Sequence, residues 1–120
     1  MVESAIIIDN EGNTIHSLST GDLHPDTALL GGFLSALQDF SDMVSGDAVQ
    51  EMEMGEYRFL VSSILDYHLI TIHAIKSANP KRIHEEILAL CEKNRDSLKD
   101  RMFKGRLKRL VESLSNNEKA

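Results

Sequence analysis

Tyr57-Arg58-Phe59-Leu60-Val61-Ser62-Ser63-Ile64-Leu65, then Asp66-Tyr67, then His68-Leu69-Ile70-Thr71-Ile72-His73-Ala74-Ile75 is the stretch on which the fold turns. Both runs are rich in β-branched and aromatic residues, and a turn-forming pair separates them. Apolar residues occupy consecutive positions, which marks strands buried on two faces; the second run is expected at the centre of a sheet. A more polar run, Val49 to Met54, precedes them across Gly55-Glu56. Connections this short allow only antiparallel neighbours, so the three strands read as a meander.

Working outward, the N-terminal Ser4-Ala5-Ile6-Ile7-Ile8-Asp9 is another buried strand, closed by the turn cluster Asn10-Glu11-Gly12-Asn13. Thr14 to Ser19 alternates apolar and polar residues and reads as the edge partner of a hairpin. Pro25 and Asp26 suit a first helical turn. Leu30, Phe33, Leu37, Phe40 and Val44 then make one apolar stripe, and Gly46 can cap it. After the meander, Asn79-Pro80 opens a second helix with its stripe on Ile83, Ile87, Leu90, Cys91 and Asn94. A last helix is expected from about Ser97 to Leu114 on Phe103, Leu107, Leu110 and Leu114, with a frayed tail from Ser115 to Ala120. The predicted fold class is therefore α/β (α+β): a five-stranded antiparallel sheet of order β-β-α-β-β-β-α plus an extra C-terminal helix.

The chain has 120 residues, enough for one domain, with 42% hydrophobic and 27% charged residues, a globular balance. The expected organisation is a body over residues 1–95 and a basic amphipathic helix and tail over 96–120, packed on the body or continuous with it. Charge divides earlier in the chain. Residues 1–75 hold one basic residue, Arg58, against twelve acidic ones; residues 76–120 hold twelve basic against seven acidic. One cysteine, Cys91, excludes an intrachain disulfide and a zinc–thiolate cluster. No basic segment followed by a long apolar run begins the chain, and no run approaches the about 20 residues needed to cross a bilayer. A cytoplasmic location is the expectation.

The element order resembles the longin domain, within the profilin-like and roadblock/longin superfamily. Three stretches carry the resemblance: Ile6 to Ile15 with its acidic, glycine-containing turn, Met54 to Val61, and Asp66 to Ile72. It spans about residues 3–95 and contains no catalytic string. Roadblock domains normally begin with a helix, so the strand-first start looks more like longin, similar to the first longin domain of tri-longin Rab exchange factors or to a stand-alone archaeal-type small longin protein. The resemblance implies a non-catalytic protein-interaction module rather than an enzyme, without a cofactor. Its implied partners are a second longin- or roadblock-type protein, as homodimer or heterodimer, and a small GTPase or a membrane-trafficking assembly. A small-ligand sensor domain built on a related α/β sheet is the alternative.

Particular residues point the same way. Gly31 and Gly32 interrupt the first helix and, with Ser35, form a small-residue patch that either packs on the sheet or admits a partner. Thr14, His16 and Ser17 lie on the unguarded edge strand. Lys99, Arg101, Lys104, Arg106, Lys108 and Arg109 make the last helix basic, able to meet an acidic partner or, peripherally, an anionic membrane. Nucleic acid is not expected, because the acidic body would repel phosphate. The five histidines show no metal-binding spacing; His68 and His73, five apart on one strand, point to opposite faces. Asp66, His68 and Ser62 or Ser63 supply the ingredients of a triad, but strand-and-turn spacing does not order them, and Asp66 reads as a turn former.

Overall fold

The computed structural model describes residues 2–9, 11, 13–19, 50–54 and 56–119. The expected helix between Pro25 and Gly46 lies outside the described residues. Five strands, β1 (Val2–Asp9), β2 (Thr14–Ser19), β3 (Gln50–Met54), β4 (Tyr57–Ile64) and β5 (Tyr67–Ala74), form one antiparallel sheet in the order β2-β1-β5-β4-β3. Two helices, α1 (Pro80–Lys93) and α2 (Arg101–Lys119), follow with a short 3-10 turn (Arg95–Ser97) between them. The fold is thus mixed α+β, with β5 central as its apolar composition demands.

The local chemistry sets each joint. In the first hairpin Asp9 Oδ1 accepts the backbone N–H groups of Glu11 and Asn13, both at 2.9 Å, and Asn13 Nδ2 donates to Asp9 Oδ2 at 3.2 Å. These bonds, that of the Asn13 N–H first, outweigh desolvation and hold the Asp9 carboxyl below its ordinary value. The pairing slips by one residue between Ile7 and Ile8, a bulge that lets Ile15 join His16 and Leu18 near the α2 side. Between β4 and β5 the turn is Leu65-Asp66, one residue earlier than the sequence suggests, with Ile64 paired to Tyr67. Leu65 pays for it with a left-handed backbone (φ 53°) and an exposed side chain.

Pro80 begins α1 as expected, yet Asn79 does not cap it through its side chain. Asn79 instead takes a left-handed conformation (φ 55°, ψ 46°), which asparagine tolerates better than most residues. At the other end Asn94 settles the continuity of the helices. Its Nδ2 donates to Leu90 O at 2.8 Å and its Oδ1 accepts from Arg106 Nη1 at 3.0 Å, so the chain breaks there and folds back. The last helix starts four residues later than expected and runs to Lys119 instead of fraying from Ser115.

Residues 98–114 share one core with the body. Leu98, Phe103, Leu107 and Val111 are buried with Ala5, Ile7, Ile64, Leu69, Ile83, Ile87 and Cys91. Val111, not Leu110 or Leu114, completes the buried stripe of α2; those two leucines pack half-buried beside it. The opposite face of the sheet holds a second buried cluster, Ile6, Ile8, Phe59, Val61, Ile70 and Ile72.

Candidate functional site

Docking of α2 by Phe103, Leu107 and Val111 turns its charged residues outward. Lys99, Arg101, Lys104, Arg106, Lys108 and Arg109 are all exposed. They do not form one uniform patch. Arg101, Lys104 and Lys108, three and four residues apart, share a row along the helix. Arg106 is drawn to Asn94. Lys99 sits by the first hairpin, where its charge favours the ionised Asp9. Met102 is the one large apolar side chain among them that is strongly exposed, at 75%. The apolar stripe of α2 is consumed by the core, so this surface offers charge and little grease. No helix among the described residues is long and apolar enough to cross a membrane.

The edge strand β2 holds a correction. His16, grouped by its sequence position with Thr14 and Ser17 as partner-facing, is buried. Its Nε2–H donates to Leu98 O at 2.6 Å and its ring lies 6.0 Å from that of Phe103. A β-strand aims alternate side chains to opposite faces, and the face given to His16 is the one α2 covers. Its work is to tie the chain before α2 to the sheet. Thr14 and Ser17 are half-buried on the same strand. Gly31, Gly32 and Ser35 lie outside the described residues.

Strand β3, at the other edge, is tied down by charge. Glu53 pairs in register with Arg58, whose Nη2 donates to Glu53 Oε1 at 2.8 Å. Arg58 Nε lies 3.1 Å from Glu51 Oε1, and Lys81 Nζ on α1 lies 3.6 Å from Glu51 Oε2. These groups are partly to well exposed, so the network is worth little as stability.

Sequence reading missed a buried polar network. Ser62 Oγ is 2.7 Å from His84 Nε2; His84 Nδ1 is 2.7 Å from Thr71 Oγ1; Thr71 Oγ1 is 2.7 Å from His73 Nε2. All four residues are buried, three contributed by adjacent strands and one by α1. Register brings them together. Ser62 pairs with Leu69 and Leu60 with Thr71, so Ser62, Thr71 and His73 share the face on which α1 packs. The available signal was the interruption of aliphatic strands by polar residues at alternate positions, which leaves buried groups in need of partners. Burial pushes His84 down to about 4 and His73 down to about 3, the latter helped by the nearby His84 charge. Both imidazoles are therefore neutral at ordinary pH. Cys91, buried on the same helix, has its thiol pushed up to about 12 by burial and behaves as an apolar residue.

The Ser62–His84 pair is poorly suited to nucleophilic catalysis. A general base works best with a pKa near the working pH, and His84 lies well below it. Behind His84 stands a threonine hydroxyl, not a carboxylate that could stabilise an imidazolium. Asp66, by contrast, is exposed in the β4–β5 turn, away from this network. Among the described residues no three His, Cys, Asp or Glu side chains gather as a metal site.

Comparison with known proteins gives fold likeness alone. No protein-family profile matches the sequence, and no curated protein matches it. Among solved structures, a Roadblock/LC7 domain from Streptomyces avermitilis is similar with a TM-score of 0.67 at 17% identity, over 82% of this chain and 87% of that one. The gliding protein MglB from Thermus thermophilus is similar with a TM-score of 0.63 at 11% identity, over 93% of this chain and 79% of that one. MglB of Myxococcus xanthus has a TM-score of 0.56 at 14% identity, over 93% of this chain and 85% of that one. The sheet and helices described above thus share the fold of the Roadblock/LC7 domain and of MglB.

Proposed function

We propose that this chain is a non-catalytic interaction module of the roadblock/longin kind, which pairs with a second such domain and associates with a small GTPase. The observation that carries this is the likeness of fold to a Roadblock/LC7 domain and to MglB across more than four-fifths of the chain. One solved MglB is described in a tetrameric arrangement, which agrees with a fold used for assembly. The chemistry of the surface adds to this likeness: the row of Arg101, Lys104 and Lys108 suits an acidic protein surface reached by electrostatic steering.

The finer reading is a longin-type platform at the cytoplasmic side of membrane traffic. An anionic membrane is the weaker partner for α2. Insertion of an amphipathic helix needs a free apolar face, and Phe103, Leu107 and Val111 are already buried.

The test is sedimentation of the purified full chain, followed by affinity capture from lysate of the source organism with the full chain and its Arg101→Glu/Lys108→Glu variant. Truncation at Asn94 is unsuitable, because it would remove core residues. A dimer, together with recovery of a small GTPase or of another roadblock or longin protein that the charge reversal diminishes, supports the proposal. A chain that stays monomeric at high concentration and enriches neither sinks it.

A further inference from the structure

A cleft of about 360 Å³ opens between α1 and the β3–β4 edge. Its walls are Leu60 and Leu88, its rim is Glu51, Lys81 and Glu85, and Ser62 and His84 stand at its polar end. The volume falls within the range of small-ligand pockets, about 300–1,000 Å³. What it would recognise follows from the hydrogens of the buried network.

Thr71 Oγ1 lies between His84 Nδ1 and His73 Nε2 and has one hydrogen to give. If Thr71 donates to His73, then His73 must carry its proton on Nδ1, which is buried without a partner among the described residues. If both imidazoles donate to Thr71, its hydroxyl hydrogen is stranded in the core. The third arrangement strands only a lone pair: His73 Nε2–H donates to Thr71, Thr71 O–H donates to His84 Nδ1, and His84 Nε2–H donates to Ser62 Oγ. Buried donors are left unpaired less readily than buried acceptors, so this arrangement is favoured. The neutral state of both histidines is consistent with it. Ser62 Oγ is then an acceptor towards His84, and its own hydrogen is free to turn into the cleft.

We infer that this cleft binds a compact, uncharged, mainly apolar molecule through one ketone, ester or amide oxygen, which accepts the hydroxyl hydrogen of Ser62. Two carboxylates on the rim disfavour an anion, and Glu51 is already paired with Arg58 and Lys81. The apolar body of the ligand would lie against Leu60 and Leu88. This inference is independent of the dimer and GTPase reading.

The test uses two probes of like shape, acetophenone and ethylbenzene, titrated into the ¹⁵N-labelled full chain and followed by amide NMR. Saturable shifts at Leu60, Ser62, His84 and Leu88 are expected, with acetophenone bound about fivefold more tightly, the factor one net hydrogen bond supplies. In Ser62→Ala the preference disappears. In Leu88→Trp, where the indole fills the cleft and leaves the network intact, both probes lose their shifts. The inference is overturned if neither probe shifts those amides in the natural chain, if the two bind equally there, or if the preference survives in Ser62→Ala. Should Ser62→Ala fail to fold, the probe pair on the natural chain and Leu88→Trp still decide.

Discussion

The two faces of the sheet are built from the same strands but in different proportions of hydrocarbon and polar groups. On one face, Ile6, Ile8, Phe59, Val61, Ile70 and Ile72 form a hydrocarbon cluster, flanked by buried Ser4 and His68. The other, under α1 and α2, mixes Ala5, Ile7, Ile64 and Leu69 with buried Ser62, Thr71, His73, His84 and His16. Aliphatic packing is satisfied by volume and tolerates many sequences. A buried polar string is satisfied only by a particular geometry, and each member left unpaired costs free energy. The difference separates generic cohesion from specification, and it places the cleft, the helix docking and the chemistry on the same side.

The largest effect should come from the hydrocarbon face. Ile70→Ala leaves a cavity at the centre of the sheet and should destabilise by about 2–5 kcal/mol in urea unfolding; a loss below about 1 kcal/mol would show that this face is loosely packed. Acid sensitivity is expected from the face under the helices. The folded values of His73 and His84 lie near 3 and 4, below the ordinary 6.5. The unfolded chain takes up protons first. Stability is therefore full above pH 6.5, falls as pH drops towards about 4, and levels off below the folded values, with a slope near 1.4 kcal/mol per pH unit for each histidine. Stability curves across that window check this, and a flat profile would mean that the imidazoles protonate in place. The Ile70→Ala variant should be weaker at every pH but keep the same slope.

Thr71→Val sharpens the comparison further. It keeps the volume, removes the hydroxyl that links two imidazoles, and should cost about 1–3 kcal/mol. The acid slope should persist, because burial and not the Thr71 hydroxyl holds both imidazoles neutral. The smallest expected change is a control that touches neither face: Leu65→Gly relieves a left-handed backbone and removes an exposed apolar side chain, and should raise stability by about 1 kcal/mol or less. A drop in melting temperature would show that the Leu65 side chain packs in solution.

Much of the architecture was legible in local pattern. Continuous apolar runs in β1, β4 and β5 marked central strands, the alternation of β2 marked an edge, and Pro80 marked a helix start, because each reflects preferences acting within a few residues. Joints were read less well. The turn at Leu65-Asp66 and the break at Asn94 depend on which strand register and which helix docking win, and Leu65 and Asn79 adopt left-handed backbones that no local preference alone requires. Of the candidate site, the basic residues of α2 are exposed, since an amphipathic stripe fixes both faces at once. His16 was misjudged because alternation tells which two faces a strand has, not which one a distant helix will cover.

What the sequence by itself determined was the described strands and the two C-terminal helices, the antiparallel sheet and the division of charge, all consequences of short-range periodicity and composition. Tertiary structure alone decided that residues 98–114 complete the core, that His16 serves Leu98, and that Ser62, Thr71, His73 and His84 meet. Such contacts join residues up to 82 positions apart, and only strand register and helix docking bring groups so distant in the chain within hydrogen-bonding reach.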